Sequence, residues 1–159
     1  MILVTVGTEK FAFNRLIEYI DALIKGGEID LSQEAVFVQY GSCTISPMGA
    51  YAQPLYPEAE FKRLLARSRL IIAHCGEGTI DMLSELYKPF ILVPRQVKYA
   101  EHVDDHQMEL AGALRELGFA IAYNLDDLKW SLNTPAMQIK RAPKSYYAEV
   151  SKLLTSHFD

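Results

Sequence analysis

The sequence predicts an α/β domain: a Rossmann-like, mostly parallel sheet with helices on both faces. Short β-branched and apolar runs alternate along the chain with stretches of helical periodicity. One of these junctions, IIAHCGEGTIDML at residues 71–83, passes from a buried-strand pattern through a glycine-bearing turn into a helix, which is how such domains build a nucleotide pocket. With 159 residues, half of them apolar or aromatic, the chain has the size and composition of a single domain that buries its own core.

The elements follow in order. Residues 2–6 form an apolar run ending at Gly7-Thr8, as expected of a buried parallel strand feeding a turn. Phe13, Leu16, Ile17, Ile20, Leu23 and Ile24 recur at helical spacing, and Gly26-Gly27 closes that helix. Residues 35–40 read as the next strand, 46–49 as a turn, and 52–56 as a short strand stopped by Pro57. Phe61, Leu64 and Leu65 place a helix over 58–66. A strand at 70–73, a helix at 79–87 and a strand at 90–93 bracketed by Pro89 and Pro94 come next. A helix over 104–117 ended by Gly118, a last strand at 119–122 and a short helix at 125–132 complete the alternation. After Pro143, Tyr147, Val150, Leu153 and Leu154 make residues 143–159 an amphipathic helical tail of the same domain.

Composition narrows the function. A net charge of −4 gives no electrostatic footprint for nucleic acid. Cys43 and Cys75 lie far apart without metal-ligand spacing, which suits a reducing cytoplasm. No apolar run is long enough to span a bilayer. The opening MILVTVGTEKF lacks a basic n-region and a cleavage site, so Met1 is read as the mature start.

The chemistry concentrates between residues 74 and 107. A turn joining a strand's carboxyl end to a helix amino terminus presents N–H groups and the positive end of a dipole, which favour a diphosphate. Gly76 and Gly78 permit close backbone approach. His74 is placed to face phosphate, with a titration range near neutrality, or to cap the strand. Cys75 reads as packing, and Glu77 opposes a diphosphate, so it is expected to turn to solvent or to a basic side chain. Asp81 and Glu85 share one helix face, either as a solvated stripe or as a ribose contact. Arg95, at a strand's carboxyl end, suits a phosphate, a sugar carboxylate or a structural salt bridge. His102 and His106 are spaced as a zinc pair would be, but no other metal motif accompanies them, and no metal is assigned. Asp104 or Asp105 as N-cap would present Asp105 and Gln107 to sugar hydroxyls, and Tyr40, Ser42 and Thr44 fit the same cleft or a plain loop.

These residues resemble the glycosyltransferase family 28 C-terminal domain, and within it the small subunit of two-component transferases. VTVGT, QYG at 39–41, HCGEGT, KPFILVPR at 88–95 and EHVDDHQ at 101–107 occur in the family order, the last two in the manner of the bacterial polysaccharide branch. The resemblance implies the donor-binding half of a GT-B enzyme. Gly7, Thr8, Gly76, Gly78 and Thr79 would approach the phosphates with His74 beside them, Glu85 and Arg95 would follow, and Asp105, His106 and Gln107 would meet the sugar. One departure is Met82, which stands where many such domains carry a ribose-binding glutamate.

The implied reaction moves a hexose or hexuronic acid from a UDP-sugar donor to a polyprenyl-diphosphate-linked saccharide, with inversion and without metal or cofactor. It belongs to surface polysaccharide synthesis at the inner face of the cytoplasmic membrane. A membrane-associated, acceptor-binding subunit would hold the lipid-linked acceptor and the general base, with His74 and His106 as candidates for assistance. The tail and the apolar stretch at 48–55, with Phe11 and Phe13, are the surfaces expected to pack or to meet that subunit. A noncatalytic nucleotide-binding or enhancer subunit is the alternative; an epimerase or hydrolase would ordinarily need two such domains.

Overall fold

The computed structural model describes residues 1–134 and Lys152. Its elements are β1 (Ile2–Thr5), α1 (Asn14–Gly26), β2 (Val36–Gln39), β3 (Tyr51–Gln53), α2 (Glu58–Arg67), β4 (Leu70–His74), α3 (Glu77–Leu86), β5 (Phe90–Val93), α4 (His106–Glu116) and α5 (Leu125–Asn133). The five strands form one parallel sheet in the order β3-β2-β1-β4-β5. The tail at 143–159 lies outside the described residues.

Strand periodicity divides the core. Ile2 and Val4 of β1, with Val38 and Ile72, pack under Leu16, Ile20 and Leu23 of α1 and Leu128 of α5. Leu3, Ile71 and Leu92 turn to the other face, under Leu65 of α2, Ile80 and Leu83 of α3, and Leu110 and Leu114 of α4. The central strands β1 and β4 and the edge strand β5 are buried along their whole length, so they are apolar but for the terminal Thr5 and His74 rather than alternating. Helix α1 stops where expected: Gly27 adopts φ 82 and its N–H bonds the carbonyl of Ile24.

Several boundaries differ from the sequence reading. The last strand expected at 119–122 is a single parallel bridge, Leu92 to Ile121, because Tyr123-Asn124 turns at once into α5. Asn124 caps that helix by accepting from the Asp127 N–H, and Asp127 accepts from the Tyr123 N–H in return. The third strand ends at Gln53, since Pro54 has no N–H and the Tyr56 N–H is taken by Gln39 Oε1. Helix α3 begins at Glu77 rather than 79, with Gly76 in extended conformation at its N-cap. A 3₁₀ turn at Val97–Tyr99, absent from the sequence reading, follows β5.

Sequence order reverses direction across β1 and β4: α1 leads from β1 outward to β2 and β3, and β4 and β5 lie on the other side. The loops leaving the carboxyl ends of β1 and β4 therefore part from each other. In open parallel sheets that divergence leaves the crevice where ligands bind.

Candidate functional site

A cleft of about 480 Å³ opens at this position. Thr5, Gly7, Thr8 and Glu9 line it from the β1 end, and His74, Gly76, Glu77, Gly78, Thr79 and Met82 from β4 and α3. Gln39 and Phe61 close one side, and His102, His106 and Gln107 the other.

His74 is the pivot. Its imidazole lies between the two glycine loops: a Cβ on Gly7 would come within 2.3 Å of His74 Nε2, and one on Gly76 within 2.4 Å of Cε1. Gly7 also holds φ +78, so it is required twice over, for conformation and for space. Both glycines thus make room for a protein ring as well as for any ligand.

Hydrogen bonds set the state of that ring. Gln107 Oε1 accepts the Arg95 N–H at 3.1 Å, which fixes the orientation of the amide. Its nitrogen faces His74 Nδ1 at 3.3 Å, and an amide nitrogen only donates, so Nδ1 accepts. The proton therefore sits on His74 Nε2 and is given to Thr79 Oγ1 at 2.8 Å. The Thr79 hydroxyl, accepting there, keeps its own proton for donation, and Thr79 lines the cleft. Burial, reinforced by the nearby Arg95 charge, lowers the His74 pKa to about 3. The near-neutral titration expected from sequence is corrected: His74 is a neutral positioning group. With both nitrogens engaged it has no lone pair for proton abstraction, which removes it as a candidate assisting base.

Arg95 is a second correction. It is fully buried and does not line the cleft. Nη1 donates to the carbonyls of Phe11 (2.8 Å) and Glu101 (3.0 Å), and Nη2 to that of Val6 (2.6 Å). The guanidinium lies 4.9 Å from the centre of the Phe13 ring. Arg95 ties the loop after β1 to the loop after β5 from behind, and Phe13 belongs to the core rather than to an exposed surface. Burial pulls its pKa below the usual guanidinium value, the cost of placing a cation there.

The loop after β5 is held further by Arg15, whose Nε and Nη2 each lie 2.9 Å from a carboxylate oxygen of Glu101. Glu101 also accepts the Gln96 N–H. Asp105 occupies the N-cap position of α4 but makes no side-chain cap bond; its carboxylate accepts the Val97 N–H and lies outside the cleft. Asp104 accepts the His106 N–H instead and sits beside His102 Nδ1. The expectation that Asp105 meets a sugar is corrected accordingly.

Glu85 is exposed and outside the cleft, while Met82 lines it. Asp81, on the same face, is exposed too. Tyr40, Ser42 and Thr44 are absent from the lining, where Gln39 stands instead, bonded to Thr5 and to the Tyr56 N–H. Thr5, Glu9, Phe61 and His102 also line the cleft, though the sequence assigned none of them to a donor site. Phe61 and Thr5 read locally as core positions, and only the sheet order brings them to one crevice. Cys75 is buried and its thiol is pushed up by burial, in keeping with packing. Among the described residues no group of three or more His, Cys, Asp or Glu is arranged to hold a metal ion. His102 and His106 are turned instead to Asp104 and Glu77.

Fold and cleft together define the class: a doubly wound parallel α/β domain with its crevice at the switch point between β1 and β4. The chain belongs to the glycosyltransferase family 28 C-terminal domain family, whose model matches residues 1–152. It is 30% identical over 97 residues to a UDP-N-acetylglucosamine transferase subunit ALG13 of Cryptococcus neoformans, covering 58% of this chain and 45% of that protein. It is 42% identical over 62 residues to UDP-N-acetylglucosamine--N-acetylmuramyl-(pentapeptide) pyrophosphoryl-undecaprenol N-acetylglucosamine transferase of Paramagnetospirillum magneticum, covering 39% of this chain and 16% of that protein. The chain thus spans less than half the length of these curated relatives.

Among solved structures, the solution structure of ALG13 superimposes with a TM-score of 0.60 at 18% identity, over 96% of this chain and 94% of that one. The glycosyltransferase SnogD from Streptomyces nogalater gives 0.53 at 15% identity, over 97% of this chain and 42% of that one. At such identities the likeness establishes the fold. Among the described residues no helix is long and apolar enough to cross a membrane.

Proposed function

We propose that this chain binds a UDP-sugar and serves as the donor-binding, catalytic subunit of a two-component inverting glycosyltransferase. The observation that carries the reading is the hydrogen-bonded line from Gln107 through neutral His74 to Thr79, which holds Thr79 at the cleft in the first turn of α3. A diphosphate seated there meets the N–H groups of the turn at Gly76 and Gly78, the helix dipole, the Thr79 hydroxyl and the Gly7-Thr8 loop. The sugar then extends toward His106 and Gln107 at the start of α4.

In the reaction an acceptor hydroxyl attacks the anomeric carbon as the bond from that carbon to the diphosphate oxygen breaks, inverting the centre. Negative charge grows on the leaving diphosphate, where preoriented N–H and O–H donors stabilise it most. The acceptor half is a separate membrane-associated subunit holding a lipid-linked saccharide and the general base. It recruits this chain to the inner face of the cytoplasmic membrane for surface polysaccharide assembly. The family, the relatives named as transferases of UDP-N-acetylglucosamine and the Pro94-Arg95 and Asp105-His106-Gln107 segments support this reading.

Calorimetric titration with UDP tests the site. Thr79→Val and His74→Ala should each weaken UDP about tenfold or more, the loss of a hydrogen bond to a charged group. Gln107→Ala should follow them, since it frees the His74 tautomer. Undiminished UDP binding in all three rejects the site. Reconstituting transfer with the acceptor subunit tests the catalytic role, and full activity without this chain would leave only an enhancer.

A further inference from the structure

The charges around the cleft narrow the donor further, an inference that rests on the nucleotide-sugar reading above. Glu77 is the first residue of α3 and His106 the first of α4, and they meet at the cleft, Glu77 Oε1 standing 2.8 Å from His106 Nε2. Both line it. The Glu77 carboxylate therefore spans the helix start proposed for the diphosphate and the one proposed for the sugar. It is held there by the imidazole and by the positive end of its own helix.

Positive charge that could match an acidic sugar is committed elsewhere. Among the described residues, none lining the cleft is a lysine or arginine. The Arg95 guanidinium points away into three backbone carbonyls. His74 is neutral, His102 lies against Asp104 and His106 against Glu77. Glu9 adds another carboxylate to the wall.

We infer that Glu77 is a specificity-determining residue that restricts the donor to nucleotides carrying an uncharged hexose or N-acetylhexosamine and excludes hexuronic acids. A sugar hydroxyl donates to the carboxylate, whereas a sugar carboxylate placed near His106 meets a like charge a few ångströms away. At the effective dielectric of a partly open site, that repulsion corresponds to about a tenfold loss of affinity or more. Repulsion between Glu77 and the diphosphate is common to every donor and cancels in the comparison.

The test uses donor pairs that differ only at C6: UDP-glucose against UDP-glucuronate, and UDP-galactose against UDP-galacturonate, titrated into the wild-type chain and Glu77→Gln, with UDP as reference. In the wild type the neutral member of the better-bound pair should bind about tenfold tighter or more. Glu77→Gln should narrow that gap to about threefold, and raising the salt concentration should narrow it in the wild type. Equal binding of the two members, preference for the uronate, or an undiminished gap in Glu77→Gln overturns the role of Glu77. Absence of UDP binding to the wild type overturns the nucleotide site itself, so the two failures are distinguishable.

Discussion

Replacing Arg95 separates a phosphate ligand from a structural clamp. Its guanidinium makes three hydrogen bonds to the carbonyls of Val6, Phe11 and Glu101, and all three acceptors lie in loops that frame the cleft. Arg95→Met keeps the volume and removes the buried charge, but strands those carbonyls. At about 1–3 kcal/mol for each buried group left without a partner, and with credit for the lost desolvation cost, the variant should be about 3–6 kcal/mol less stable. Arg95→Lys retains the charge, but its ammonium cannot span the fork, and about 2–4 kcal/mol should be lost. For a chain of this size each kcal/mol lowers Tm by about 2–4 °C, so the lysine variant should melt roughly 5–15 °C early. Thermal and urea denaturation measure this, with UDP titrations run well below the transition. The clamp predicts a large stability loss and a smaller change in UDP affinity. A lysine variant with the wild-type melting point and no UDP binding would refute it and restore the phosphate contact expected from sequence.

Further outcomes follow from the same geometry. Gly7→Ala forces both an unfavourable φ and a contact at 2.3 Å with the His74 ring. It should cost about 1–3 kcal/mol in urea melts and displace His74, weakening UDP in calorimetry. The folded-state pKa of His74 is about 3 against 6.5 for the free side chain, so between those values the unfolded chain binds a proton that the folded chain refuses. The contribution of His74 to stability is therefore fully present above pH 6.5 and falls by about 1.4 kcal/mol for each pH unit from there down to about pH 3, where the loss levels off. His74→Gln should flatten that part of a stability–pH profile, and the His74 ring proton resonances should not titrate above pH 5. Arg15→Ala leaves the Glu101 carboxylate buried without its cation. A loss of about 3–5 kcal/mol is expected in denaturation, with faster amide exchange in the loop after β5.

Much of the fold was legible because each strand carries its burial in its own composition. Ile2–Thr5, Leu70–His74 and Phe90–Val93 are covered on both faces and so apolar at nearly every position, and α1 announces itself by spacing and a terminal glycine pair. Boundaries slipped where a residue's partner lies far away. The end of β3 depends on Gln39, whose side chain takes the Tyr56 N–H from 17 residues away. Of the site, the loop residues Gly7, Thr8, Gly76, Gly78 and Thr79, and His74, His106 and Gln107, come together at one cleft as the motifs suggested. Glu85, Arg95 and Asp105 do not, because helix phase turns Glu85 outward, loop closure buries Arg95, and a backbone N–H claims Asp105.

The order of residues alone determined that strands and helices alternate, where glycines interrupt them, and which polar side chains fall at strand ends, since these depend on neighbours within a few positions. Tertiary structure decided what those side chains do. The proton on His74, the burial of Arg95 and the meeting of Glu77 with His106 arise from contacts across 33, 84 to 89 and 29 residues. Such contacts exist only once the parallel sheet has brought the ends of β1, β4 and β5 together, and local sequence carries no record of the distances between them.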